Sequence, residues 1–186
     1  MFLEPAILSI LIAKLRKGSI KNLADITLKG YVLFIAAALL QASFSLTKLY
    51  GNSLIKVFVN DWFLYLILFS YLLMIITILL NWKKSYMKLF LIGLLLNVSV
   101  IAMNNGKMPV SLGGISGIRQ EIELPERNLD IKHVAVGSDT RLVWLADIIV
   151  IPKPYPLPKI ISIGDVFIMG GVFLFFQREM LKYKSD

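Results

Sequence analysis

The chain has 186 residues, 57% of them hydrophobic, with a mean hydropathy of +0.73, well above the roughly 45–50% apolar content of soluble domains; long runs almost free of charge read as an integral membrane protein. Net charge is +8 and the isoelectric point is about 9.7, but the basic residues cluster at the ends of apolar runs, where they face anionic lipid and set orientation, so nucleic acid is not expected as a partner. The absence of cysteine excludes disulfides, cysteine nucleophiles and thiolate metal sites.

In chain order, the first predicted helix covers about residues 2–15, short and interrupted by Glu4 and Pro5. At about 1.5 Å per residue it barely crosses a hydrocarbon core of about 30 Å, so it either tilts or enters only partly. No cleaved leader is expected, because Glu4 stands where a basic n-region would be and no small-residue cleavage site follows. Further helices are predicted at about residues 30–49, 62–80, 89–103 and 160–176. Gln41 and Asn97 are polar groups inside them, suited to bonding between helices.

The charges give a consistent topology. Lys14, Arg16, Lys17, Lys21 and Lys29 precede the second helix, Lys83, Lys84 and Lys88 precede the fourth, and Arg178, Lys182 and Lys184 end the chain. The positive-inside rule puts all three groups in the cytoplasm, with the C-terminus. The 104–159 segment then lies outside. The expected fold class is an all-α polytopic membrane bundle in one domain, residues 1–186. It has four full transmembrane helices, one short N-terminal hydrophobic helix, and a small extracytoplasmic α/β or irregular insertion before the last helix. The expected location is the bacterial plasma membrane.

The insertion is punctuated by glycine and proline, which favours turns and short strands over long helix. IRQEIEL (118–124) is a candidate strand. LVWLADIIVI (142–151) has about ten apolar residues, too few to span as a helix. It reads as a re-entrant or interfacial segment, or as a strand lying on the bundle. The proline-rich run IPKPYPLP (151–158) is expected to be stiff and extended.

Two acids stand out. Asp147 lies in that apolar run and Asp165 opens the last helix, both near the outer edge. Charge at membrane depth is costly and is usually kept for a task. Two carboxylates in one low-dielectric site do not both ionise easily, so one keeps its proton while the other acts as base, the division used by aspartic proteases. The competing reading is structural: Asp165 caps a helix and Asp147 pairs with Arg141 or Lys153. Asn97, Asn104, Asn105, His133 and Arg141 are candidates for positioning a substrate. Asn104 and Asn105 also fit a plain helix C-terminus before Gly106. His133, the single histidine, reads as a hydrogen-bonding group rather than a metal ligand, and no metal or cofactor site is expected.

ISIGDVFIMGG (161–171) and VWLADII (143–149) are similar to the two aspartate motifs of signal peptidase II, the intramembrane protease that trims prolipoproteins. That resemblance implies a four-helix bundle, Asp165 and Asp147 as the catalytic pair, and Asn97 or Asn104 as the asparagine of the preceding helix. The family's NxGAAF-like and Asn-Leu-x-Asp-Arg motifs have no counterpart here. A second resemblance runs end to end: Glu4 with Arg16, Lys17 and Gly18, Gln41, NNGKMPVS (104–111), His133, DTRLVWLAD (139–147) and SIGDVF (162–167). By these marks the chain resembles a family of small bacterial membrane proteins of unknown function, the DUF5317 type. It implies no activity. Whether the protein is an enzyme therefore stays open between three readings. The first is a membrane aspartyl hydrolase acting on a lipid-linked peptide or another embedded substrate at the outer leaflet. The second is a non-catalytic accessory or binding protein with a membrane protein partner. The third is a small transporter subunit.

Overall fold

The computed structural model describes residues 3–111, 131–154 and 158–182, apart from the side chains of residues 48 and 49. The strand expected in IRQEIEL lies outside the described residues. The protein is mostly helical: α1 is Leu3–Leu15, α2 Tyr31–Tyr50, α3 Ser53–Leu80, α4 Ser85–Met103 and α5 Ile163–Met180. Between α4 and α5 come four short strands, β1 (Met108–Val110), β2 (His133–Ala135), β3 (Ile149–Ile151) and β4 (Lys159–Ile161). β1 pairs with β2 in parallel, and β3 pairs with β4 antiparallel.

Among the described residues, two helices are long and apolar enough to cross a membrane. They are α3, whose best window has a mean hydropathy of 2.7, and α4, at 1.9. Tyr31–Thr47 of α2 is a shorter apolar helix. α5 is apolar in its middle but carries Asp165, Arg178 and Glu179.

Several boundaries differ from the expected ones: α4 starts at Ser85 rather than 89, α5 ends at Met180 rather than 176, and two more differ for clear reasons. α3 starts at Ser53 rather than 62, because the Asn52 side chain accepts from the Ile55 amide at 2.9 Å and caps the extra turns. α5 starts at Ile163 rather than 160, because Lys159–Ile161 is drawn into the ladder with β3. A strand pairing there satisfies the backbone that a free helix end would leave open.

The helices pack as a row: α2 on α3, α3 on α4, α4 on α5, and α5 on α1. α1 lies parallel to α5. Glu4 pairs with Lys159 just before α5, the Ser9 hydroxyl donates to the Phe173 carbonyl at 2.7 Å, and the Ser19 amide donates to the Met180 carbonyl at 2.9 Å. The basic segments meet at one end. There Asn22 donates to the carbonyls of Met180 and Lys182, Asn81 bonds the backbone of Lys29, and Lys84 lies 3.7 Å from Glu179.

One buried cluster, with Phe44, Phe63, Ile67, Val100, Ile101, Met108 and Leu145, sits toward the other end. It glues α2, α3 and α4 to the insertion. A second, with Ile78, Tyr86, Met87 and Leu94, fills the basic end.

Candidate functional site

The two acids are brought together by strand pairing. β1 hydrogen-bonds the Asp147 backbone on both sides: the Asp147 amide donates to the Pro109 carbonyl at 2.9 Å, and the Ser111 amide donates to the Asp147 carbonyl at 2.8 Å. Two residues on, Ile149 pairs with Ile161. Asp165 follows four residues after Ile161, in the first turn of α5.

Asp165 is held from both sides of its carboxylate. Its Oδ2 accepts from the Ser162 amide at 3.0 Å, and its own amide donates to the Ser162 hydroxyl at 3.0 Å, a reciprocal capping box that starts α5. Its Oδ1 accepts from Asn97 Nδ2 of α4 at 3.0 Å, and Asn97 Oδ1 accepts from the Ser162 hydroxyl at 2.9 Å. Asn97, Ser162 and Asp165 are all buried. The helices come close enough because glycines meet at the crossing: a Cβ at Gly93 would lie 2.5 Å from the Gly164 carbonyl, and one at Gly164 would overlap the Asn97 amide.

Asp147 is different. It is buried, yet its Oδ1 has no hydrogen-bond partner among the described residues. Neither Arg141 nor Lys153 pairs with it there, so the ion-pair reading of Asp147 does not describe this arrangement. Asp147 lies outside the membrane-length helices, and burial, reinforced by the Asp165 charge, pushes its carboxyl up to about 7. Tyr71 of α3 is within electrostatic reach of both acids.

The other candidates separate from the pair. The Asn104 amide is committed to backbone: Nδ2 donates to the carbonyls of Val100 and Arg141 at 2.8 and 2.9 Å, and Oδ1 accepts from the Arg141 amide at 3.0 Å. It closes α4 and pins the 141 segment to it. Asn105 sits in the left-handed region at φ 54, a conformation asparagine tolerates. Asn105, Lys107, Asp139, Thr140 and Arg141 line, with Asn104, a separate cavity of about 590 Å³ at the end of α4. His133 is half-buried in β2, opposite Met108 of β1. Among the described residues, no group of three or more histidines and carboxylates is placed to hold a metal.

Sequence reasoning missed two participants. Ser162 was detectable, since Ser-x-x-Asp before an apolar run is the spacing of a capping box. Tyr71 carried no such signal; it is one of many apolar-span aromatics until the fold sets it near the acids.

The family model described as a family of unknown function (DUF5317) matches residues 25–177. A Thermotoga maritima protein described as an uncharacterized protein is 30% identical over 176 residues, covering 95% of this chain and 88% of that one. No solved structure matches. These comparisons lend no support to the resemblance with signal peptidase II. With most of its length matched by the family model, and a similar relative along nearly all of it, the chain belongs to the DUF5317 family.

Proposed function

We propose that the protein is a plasma-membrane aspartyl hydrolase whose Asp147/Asp165 pair cleaves a lipid-linked or membrane-embedded peptide at the outer leaflet. The observation that carries this reading is the buried Asp147 carboxyl, with an oxygen unpartnered among the described residues, beside a second acid. A buried polar atom without a partner calls for water or a ligand. A carboxyl poised near neutral pH suits a general acid.

In this reading Asp165 takes a proton from a water as the water oxygen adds to the scissile carbonyl carbon. Asp147 gives its proton to the carbonyl oxygen, forming a gem-diol. The C–N bond then breaks, the leaving nitrogen takes the proton held by Asp165, and Asp147 recovers one from the diol. Asn97 orients Asp165 through the 3.0 Å bond.

The membrane arrangement that goes with it has four crossings by α2 to α5 and a cytoplasmic C-terminus. The 104–159 segment is outside, and α1 lies along α5. Its support is the gathering of the three basic segments at one end of the helices, with the acid pair at the other.

The competing reading is a non-catalytic binding or accessory protein. Two observations favour it: Asp165 has a complete structural role as a cap, and an open cavity lined by Asn104 and Arg141 lies apart from the two acids. Transport is less well supported, since Glu4, Gln41 and Asn97 are engaged at three separate places, with Lys159, Ser70 and Asp165.

The test is cleavage of a panel of lipid-modified prepeptides by the full chain in nanodiscs, with Asp147→Asn and Asp165→Asn alongside. Cleavage that both folded variants lose supports the hydrolase. A panel left intact by wild type turns the assignment to the binding reading, with the 104–159 segment as the first surface to probe.

A further inference from the structure

Several apolar side chains of residues 142–151 are exposed. Val143, Trp144, Ile148 and Ile149 are exposed, Trp144 by 61%, while Leu145, Ala146 and Asp147 between them are buried. Leu142 makes that division. It sits at φ 53 and ψ 42, in the left-handed region that a leucine rarely adopts. The Asn104 amide holds the neighbouring Arg141 at both its N–H and its carbonyl, fixing the chain in this turn. Such conformations persist only where the surroundings impose them.

The depth of the segment follows from its contacts. Gly106, just after α4, packs so closely on Phe63 and Leu64 of α3 that a Cβ there would meet the Leu64 Cα at 3.0 Å. Leu145 shares a buried cluster with Phe63 and Ile67, and the turn that contains it packs on α4. From Phe63 to Leu80, α3 descends about 26 Å at about 1.5 Å per residue, within a hydrocarbon thickness of about 30 Å. Trp62 and Tyr65 are exposed at the same level as Phe63, and Trp82 is exposed at the other end, the placement of interfacial aromatic belts.

We infer that residues 142–151 form a wedge set into the outer leaflet, with Val143, Trp144, Ile148 and Ile149 against lipid at the boundary of headgroups and acyl chains. Arg141 and Lys153, both exposed, flank the apolar stretch at the level of the lipid phosphates. The occupant of this face is lipid because the face continues the exposed aromatic level of α3 and is bracketed by cations. The wedge rests on the membrane arrangement proposed above and is independent of hydrolysis. It carries Asp147 to membrane depth on the protein side, which makes an amphiphile arriving through the bilayer the natural visitor.

The test uses the full chain in phosphatidylcholine vesicles with brominated acyl chains. Trp62→Phe with Trp82→Phe leaves Trp144 as the sole tryptophan; Trp62→Phe with Trp144→Phe leaves Trp82. Trp144 emission is expected to fall roughly two-fold against unbrominated lipid, as for an indole about 5–10 Å into the boundary. Quenching of Trp82 without Trp144 overturns the wedge and leaves the membrane arrangement standing. Quenching of neither overturns both. A blue-shifted Trp144 that brominated lipid does not quench means protein covers this face, and the wedge is wrong. Since the chain has no cysteine, Val143→Cys with a spin label gives a second reading. Greater access to oxygen than to an aqueous nickel chelate supports the wedge, and the reverse overturns it.

Discussion

The two ends of the bundle each bury an acid, and they treat it in opposite ways. At the basic end, Glu179 is 2% exposed and fully partnered: the Tyr86 hydroxyl donates to it at 2.6 Å, Lys182 pairs with its other oxygen, and Lys84 lies 3.7 Å away. At the acid end, Asp147 is 8% exposed, with an oxygen that has no hydrogen-bond partner among the described residues and a second carboxylate nearby. A buried charge is tolerated when it is paired and hydrogen-bonded. Glu179 meets that condition and fastens α5 to α4. Asp147 does not: its Oδ1 has no hydrogen-bond partner among the described residues.

The largest way to break this contrast is Gly164→Ala. Its methyl overlaps Asn97, parts α4 from α5 and dismantles the support of Asp165; a loss of about 3 kcal/mol is expected from overpacking of this kind, read as a lowered melting temperature in detergent. Glu179→Ala comes next, at about 2 kcal/mol, because the buried Tyr86 hydroxyl loses its acceptor. A loss as small as that of an exposed pair would remove Glu179 from the structural role given to it.

Asp147→Asn should act in the opposite direction and depend on pH. The folded carboxyl, pushed up to about 7, binds its proton more tightly than the unfolded one, whose ordinary value is 3.8. Folding is therefore favoured below pH 3.8 relative to higher pH, and this contribution is lost as pH rises through about 7. The variant should flatten that slope and be the more stable protein above pH 7. Identical melting profiles from pH 4 to 8 for both proteins would sink the account of Asp147 as a strained acid. The smallest effect is expected from Gln41→Ala, which removes one bond to Ser70 between α2 and α3. Polar contacts between helices in lipid contribute about 1 kcal/mol or less.

Much of the helical layout was legible because hydrophobic runs and basic flanks are local signals. The ends were less so. Lys159 and Ile160 belong to a strand because β3 is there to receive them, and no periodicity in the run Lys159–Ile163 distinguishes that from a helix start. The site was legible in part: both acids stood out as charges in apolar sequence. Their neighbours did not. The Asn104 amide, expected to position a substrate, bonds the Arg141 backbone, whereas Ser162, which carried no such expectation, is bonded to both Asp165 and Asn97.

By itself the sequence determined the membrane-like composition, the apolar helices, the basic segments and the two acids out of place, because each is a property of a short stretch measured against water or lipid. Only the tertiary structure decided that the basic segments share one end, that α1 lies along α5, that Asn97 reaches Asp165 across a glycine crossing, and that Asp147 Oδ1 has no hydrogen-bond partner among the described residues. Those are relations between residues far apart in the chain, and only packing brings such groups within hydrogen-bonding distance.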